Sequence, residues 1–262
     1  MYEKVKKLNR VSLLSDNQIL IIAGPCAVES EEQLTKIARF LQSEGIHYMR
    51  AGAYKPRTSP YTFQGLEEEG LEILKKVKEK TGIKIVTEIM DATQIPFYEQ
   101  YVDIIQVGAR NMQNFALLKK LGKIKCPILL KRAFAATIDE WLYACEYIAK
   151  EGNDQIILCE RGIRTFETRT RTTLDIASTP IVQQLTKLPI LIDPSHSSGR
   201  SDIILPLARA AIAVGADGIM VEVHDDPKMA LSDQDETINF EQFHLLMKEI
   251  RQLAKLYNKE II

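Results

Sequence analysis

Ionisable and metal-binding side chains recur in this chain at one kind of place, just after a short apolar run. Cys26 closely follows QILIIA, Arg50 follows IHYM, Glu88 follows IKIVT and Arg110 follows IIQVGA. Lys131 and Arg132 then follow ILL, Glu160 and Arg161 follow IILC, Asp193 and His196 follow ILI, and Glu222 and His224 follow IMV. Two chemistries are present in that set. Arg50, Lys55, Arg57, Arg110, Lys131, Arg161 and Arg164 would make a cationic mouth suited to small, highly charged anions, because Arg forks match phosphate and carboxylate bidentately. Gly108 and Ala109, just before Arg110, would let backbone N–H groups approach a phosphate. The second chemistry is a thiol, an imidazole and carboxylates, Cys26, His196, Glu222 and Asp233, a mixed S/N/O set for a divalent cation. From the residues alone His196 can equally hydrogen-bond within the mouth and Cys26 can equally belong to the core. His47, at a strand start, and His244, within a helical pattern, read as packing or surface residues, and His224 is ambiguous.

For these groups to meet, the apolar runs must lie side by side and end on one face. They read as strands over 18–23, 46–50, 83–87, 104–107, 128–130, 156–158, 190–192 and 219–221, since short continuous apolar stretches suit strands covered on both faces. Helical spacing fills 29–44, 67–81, 92–101, 114–121, 138–151, 172–185, 202–214 and 239–256. In the first of these Leu34, Ile37, Ala38 and Leu41 share a face, with Ser30 as N-cap and Gly45 as stop. Strict alternation implies a parallel sheet, and eight units in about 250 residues fit an α/β fold of the (β/α)8 TIM-barrel type. A doubly wound sheet is the alternative, but no GxGxxG follows the first strand. A single barrel over 19–262 is therefore expected, preceded by a polar extension, 1–18, that could be an arm, a hairpin or an oligomer contact. In such a barrel reacting groups gather where the strands end.

Composition narrows the partners. The 262 residues are 45% apolar, and the net charge of -1 argues against nucleic acid or an anionic membrane surface as partner. The basic N-terminus has no apolar stretch behind it and no run reaches membrane-spanning length, so a cytoplasmic protein is expected. Cys26, Cys126, Cys145 and Cys159 are too few and too irregular for a disulfide scaffold, and three of the four read as small buried hydrophobes.

Seven strings carry a resemblance: AGPCAVES (23–30), MRAGAYKPRTSPYTFQGL (49–66), VGARNMQN (107–114), LLKR (129–132), ERGIRTF (160–166), DPSHSSGR (193–200) and GIMVEVH (218–224). Together they resemble the 3-deoxy-D-arabino-heptulosonate 7-phosphate (DAHP) synthases, in the subfamily related to the 3-deoxy-D-manno-octulosonate 8-phosphate synthases. The resemblance implies the barrel and the condensation of phosphoenolpyruvate with erythrose 4-phosphate, the first step of the shikimate route to aromatic amino acids. It implies a divalent metal ion of the Mn, Fe, Co or Zn type on Cys26, His196, Glu222 and Asp233. By the same resemblance Arg110, Lys131 and Arg161 hold the phosphoenolpyruvate phosphate, while Arg50, Lys55 and Lys131 surround its carboxylate. The segment with Pro56, Arg57 and Thr58 takes the aldose, Arg57 and Thr58 at its phosphate, and Glu88 falls near the reacting water. Lys131, Glu88 and His196 are thus the expected catalytic groups, and Asp193 a carboxylate that fixes its loop or its neighbours.

Three rivals remain at this level. An octulosonate synthase would use arabinose 5-phosphate, but those enzymes typically read KANRS where this chain reads KPRTS. A Schiff-base aldolase would use Lys131 as nucleophile. A non-catalytic phosphometabolite-binding regulator would keep the cations and need no metal. A homo-oligomer, tetramer or dimer, is expected, and residues 1–18 are too short to be a fused regulatory domain.

Overall fold

The computed structural model of the chain describes residues 2–56 and 59–262. Eight parallel strands close on themselves: β1 (Gln18–Gly24), β2 (Tyr48–Arg50), β3 (Lys84–Glu88), β4 (Ile104–Val107), β5 (Ile128–Lys131), β6 (Ile156–Glu160), β7 (Ile190–Ile192) and β8 (Gly218–Glu222). Each pairs with the next, and β1 pairs with both β8 and β2, which closes the barrel. A two-residue strand, β9 (Glu260–Ile261), extends β1 on the outside.

Helices α1 (Glu31–Ser43), α2 (Glu67–Thr81), α3 (Ile95–Tyr101), α4 (Phe115–Leu121), α5 (Ile138–Glu151), α6 (Ser178–Leu185), α7 (Pro194–Ser198), α8 (Ile204–Ala213) and α9 (Phe240–Leu256) fill the connections. Their ends are set locally. The Ser30 hydroxyl accepts from Gln33 N to start α1. Thr137 with Glu140, and Asn239 with Gln242, form capping boxes that start α5 and α9. Gly152, left-handed at φ 118°, stops α5 where a side chain would be strained. None of the helices among the described residues is long and apolar enough to cross a membrane.

Strand alternation splits the core in two. Ile19, Ile21, Ala23, Met49, Ile85, Ile105 and Leu130 point outward and pack under the helices. Leu20, Ile22, Tyr48, Val86, Ile104, Leu129, Ile157, Cys159, Leu191 and Met220 point inward as a second apolar cluster. Continuing that inward parity by two positions reaches Arg50, Glu88, Gln106, Lys131, Arg161, Asp193 and Glu222, so the pleat itself delivers these groups to one mouth.

Three local expectations change. Residues 172–177 are not helical: Thr173 instead bridges Ile163, and Thr172 donates to Ser197 O, so α6 begins at Ser178. Residues 194–198 form the short α7, because Asp193 Oδ1 accepts His196 N as N-cap and Pro194 occupies the first turn. The first 18 residues also hide apolar groups. Val11 and Leu14 join the inner cluster from outside the strands, and Val5 N donates to the Glu146 carboxylate on α5.

Candidate active site

Arg50, Lys55, Pro56, Glu88, Gly108, Ala109, Arg110, Lys131, Arg161, His196 and Asp233 line one cavity of about 60 Å³ at the C-terminal ends of the strands. Cys26 and Glu222 lie buried beside it. Arg57 and Thr58 lie outside the described residues.

One wall is cationic. Lys131, at the end of β5, is buried and donates to Asp193 Oδ2 at 2.6 Å. Arg161 is buried one residue past β6; its Nη2 donates to His196 O at 3.2 Å, while Nη1 is buried with no hydrogen-bond partner. Burial lowers its pKa from the ordinary arginine value, which is what desolvating a cation without a carboxylate partner should do. Arg110 sits in the turn after β4, beside Gly108. A Cβ at Gly108 would fall 1.9 Å from Glu88 Oε1, so the missing side chain gives the Glu88 carboxylate its place, where it also accepts from Gln106 Nε2 at 3.0 Å.

The opposite wall is acidic. His196, Glu222, Asp233 and Glu236 each bring one ligand-type atom within 4.8 Å of the others. His196 Nδ1 lies 2.7 Å from Asp193 Oδ2, and Nε2 lies 3.3 Å from Glu222 Oε1. Burial pulls the imidazole pKa down to about 4, against the pull of Asp193, so the ring is neutral near pH 7. Nδ1 is buried and makes no well-directed hydrogen bond despite its closeness to Asp193, and a neutral ring that carries its proton there presents the Nε2 lone pair to a carboxylate oxygen. Two acceptors face each other there, an arrangement that a cation between them would satisfy.

Glu236 is pushed up to about 8 by burial and then by Glu222 and Asp233, although Arg171 pairs with it. The Cys26 thiol donates to Asp233 Oδ2 at 2.7 Å and accepts from Lys55 Nζ at 2.8 Å. Burial and Glu222 push its pKa up to about 12, so without a cation it keeps its proton. Arg50 Nη1 holds Glu222 Oε1 at 2.5 Å from the inner side. The residues present therefore fit a divalent cation: a neutral imidazole and three carboxylates converge, and the expected ligand Cys26 stands outside that group, against Asp233.

The sequence pairs divide by parity. Lys131 and Arg161 face the cavity, whereas Arg132 and Glu160 turn outward, pair at 3.1 Å and line none of it; Arg132 also pairs with Asp175 at 2.7 Å. His224 likewise leaves the site: its Nε2 meets Gln33 Nε2 at 2.5 Å and Glu29 at 3.4 Å, and Nδ1 accepts from Asp226 N. His244 pairs with Glu44 on the surface. Sequence reasoning missed Gln106, Phe134, Arg171 and Glu236. Strand parity could have found Gln106, while Phe134 and Arg171 sit on loops and Glu236 ends a single 3-10 turn, none with a local signal.

A closed (β/α)8 barrel whose cavity sets a cationic wall against an acid cluster has the form of a barrel enzyme of small, highly charged molecules. The model described as the DAHP synthetase I family matches residues 4–258, and the chain belongs to that family. A Thermotoga maritima protein named phospho-2-dehydro-3-deoxyheptonate aldolase is 55% identical over 92% of this chain and 71% of its own length. The crystal structure of the T. maritima enzyme of that name, also called DAHP synthase, matches with a TM-score of 0.92 at 53% identity, covering 95% of this chain and 73% of that one. A Geobacter sulfurreducens protein named 2-dehydro-3-deoxyphosphooctonate aldolase is 29% identical over 93% of this chain and 95% of its own length.

Proposed function

We propose that this chain condenses phosphoenolpyruvate with erythrose 4-phosphate and water, giving DAHP and inorganic phosphate, as the first step of the shikimate pathway. The observation that carries the choice of sugar is the 55% identity to the Thermotoga heptonate enzyme, against 29% to the octulosonate enzyme.

Arg110, Lys131 and Arg161 hold the phosphoenolpyruvate phosphate, and Arg50, Lys55 and Lys131 surround its carboxylate. Gly108 and Ala109 let the backbone close on the same phosphate, while Pro56, Arg57 and Thr58 take the aldose. Cys26, His196, Glu222 and Asp233 would hold a divalent metal ion, which would supply Lewis-acid assistance to the aldehyde oxygen. C3 of phosphoenolpyruvate attacks the aldehyde carbon, leaving an oxocarbenium centre at C2, and the new alkoxide takes a proton from the Lys131 ammonium, which solvent restores. Water adds at C2, its departing proton passing toward Glu88, beside the cavity and steadied by Gln106. The phosphohemiketal then loses phosphate by C–O cleavage, with the arginines offsetting its charge. Asp193 holds both the Lys131 ammonium and the His196 ring, so one carboxylate sets the geometry of both walls.

That same Lys131–Asp193 contact counts against a Schiff-base aldolase, since an ion-paired ammonium is a poor nucleophile. The reading also carries a cytoplasmic homo-oligomer, dimer or tetramer, acting on small molecules rather than nucleic acid or membrane, with residues 1–18 as an extension of the 19–262 barrel. Phosphate release, measured with erythrose 4-phosphate and with arabinose 5-phosphate, each with and without chelator, tests it. Preference for the five-carbon sugar would overturn the assignment.

A further inference from the structure

Phe134 lies half-buried in the loop between β5 and α5, at the edge of the cavity. Three guanidinium groups surround its ring. The central carbon of Arg161 is 4.4 Å from the ring centroid, that of Arg110 5.7 Å and that of Arg164 5.8 Å. They arrive from both sides, Arg110 from the turn after β4 and the other two from the loop after β6. Among the described residues none of the three forms an ion pair with a carboxylate.

Three like charges gather at one ring, and the carboxylates that act on Arg161, those of Asp193 and Glu236, do so from beyond ion-pair distance. What they share is the negative face of one aromatic ring, which attracts cations without occupying their hydrogen-bond donors. Arg161 keeps Nη1 buried and unpartnered, so the ring holds that guanidinium while leaving a donor available. The backbone fixes the ring from both sides as well. Arg164 N donates to Phe134 O at 2.8 Å, and Ala133 N donates to Met112 Sδ at 3.2 Å, which ties the loop to the Arg110 turn.

We infer that Phe134 is a positioning residue whose ring holds Arg161, and with it Arg110 and Arg164, in the arrangement that receives the phosphate of phosphoenolpyruvate. The inference rests on the proposed reading that Arg110 and Arg161 grip that phosphate. A leucine at 134 would keep most of the apolar volume and all of the backbone ties but lose the charged face.

The test compares wild type, Phe134→Leu and Phe134→Tyr by calorimetric titration with inorganic phosphate and with phosphoenolpyruvate, alongside steady-state kinetics. Phe134→Leu should weaken binding of both anions by about 3- to 30-fold. It should leave kcat at saturation and KM for erythrose 4-phosphate within about two-fold of wild type, a split that a general loss of packing would not produce. Phe134→Tyr, which keeps the ring, should bind as wild type does. Unchanged anion binding in the leucine variant, an equal loss in the tyrosine variant, or a wild type that binds neither anion overturns the inference. Should thermal melts show that the leucine variant does not fold, Phe134→Met carries the same comparison. A wild type that binds phosphate yet turns over neither sugar overturns the functional reading alone, because the titration judges the ring without turnover.

Discussion

The two walls of the cavity break the same electrostatic rule with opposite signs. On one, Arg110 and Arg161 meet around an aromatic ring with no acid between them. On the other, Glu222, Asp233 and Glu236 crowd within 4.8 Å beside an imidazole whose desolvation lowers its pKa to about 4. At an effective dielectric constant of roughly 20, two like charges at such a separation repel by about 3 kcal/mol, enough to drive one group neutral if nothing else enters. The carboxylates have that escape and use it, since Glu236 retains its proton to about pH 8. The arginines do not, because a guanidinium stays protonated at any ordinary pH. The acidic wall can therefore stand alone by binding protons, whereas the cationic wall is completed only by an anion.

The comparison breaks most sharply at the acidic wall. Chelation, or His196→Ala, should lower kcat/KM for phosphate release by at least about a thousand-fold, since it removes the electrophilic assistance to the aldehyde. Phosphoenolpyruvate binding, measured by titration, should persist within about three-fold, because its anchors are on the other wall. Turnover that survives rigorous chelation would defeat the division of labour. At the cationic wall, Arg161→Lys keeps the charge but loses the fork and should raise KM for phosphoenolpyruvate by about 10- to 100-fold. Metal content by elemental analysis should be unaffected, and a matching loss of metal would show that the walls are not separable.

A smaller effect follows from the retained proton. Between the unfolded carboxyl value near 4.5 and the folded value of about 8, the native state holds a Glu236 proton that the unfolded chain has released. Metal-free protein should therefore lose stability as pH rises through that window, and Glu236→Gln should flatten the loss. His196 acts oppositely and lower down: its folded pKa of about 4 lies below the ordinary 6.5, so stability is gained as pH rises from 4 toward 6.5. Denaturant melts from pH 4 to 9 separate the two. Added divalent cation should remove the upper decline, because it takes the place of the proton.

The difference between the walls also explains how much of the site the sequence discloses. Barrel strands must be apolar on both faces, so a charge at the end of an apolar run stands out, and Arg50, Glu88, Lys131, Arg161 and Glu222 were all visible that way. The same signal overreached to Arg132 and Glu160, because it ignored which face each residue takes; alternation from Leu129 to Lys131 and from Cys159 to Arg161 separates them. Glu236, Arg171 and Phe134 stayed hidden because loops and a single 3-10 turn have no period from which direction can be read. The expected helix over 172–185 failed for a related reason: Thr172 and Thr173 are committed to Ser197 and Ile163 across the mouth, and tertiary hydrogen bonds there override local spacing.

His224 offers the finest test of that distinction. It stands two residues beyond Glu222, near enough in sequence to pass for a ligand, yet the chain leaves β8 between them and turns the ring toward α1. There Nδ1 accepts from Asp226 N at 3.0 Å, and Nε2 packs against Gln33 and Glu29. If direction rather than proximity decides membership of the acidic wall, His224→Gln should leave metal affinity and kcat within about two-fold. It should still cost about 1–2 kcal/mol of stability in denaturant melts, because a buried hydrogen-bond network loses its centre. A ten-fold fall in metal affinity with unchanged stability would instead put His224 among the groups that face the cation, and the end of β8 would no longer bound the site.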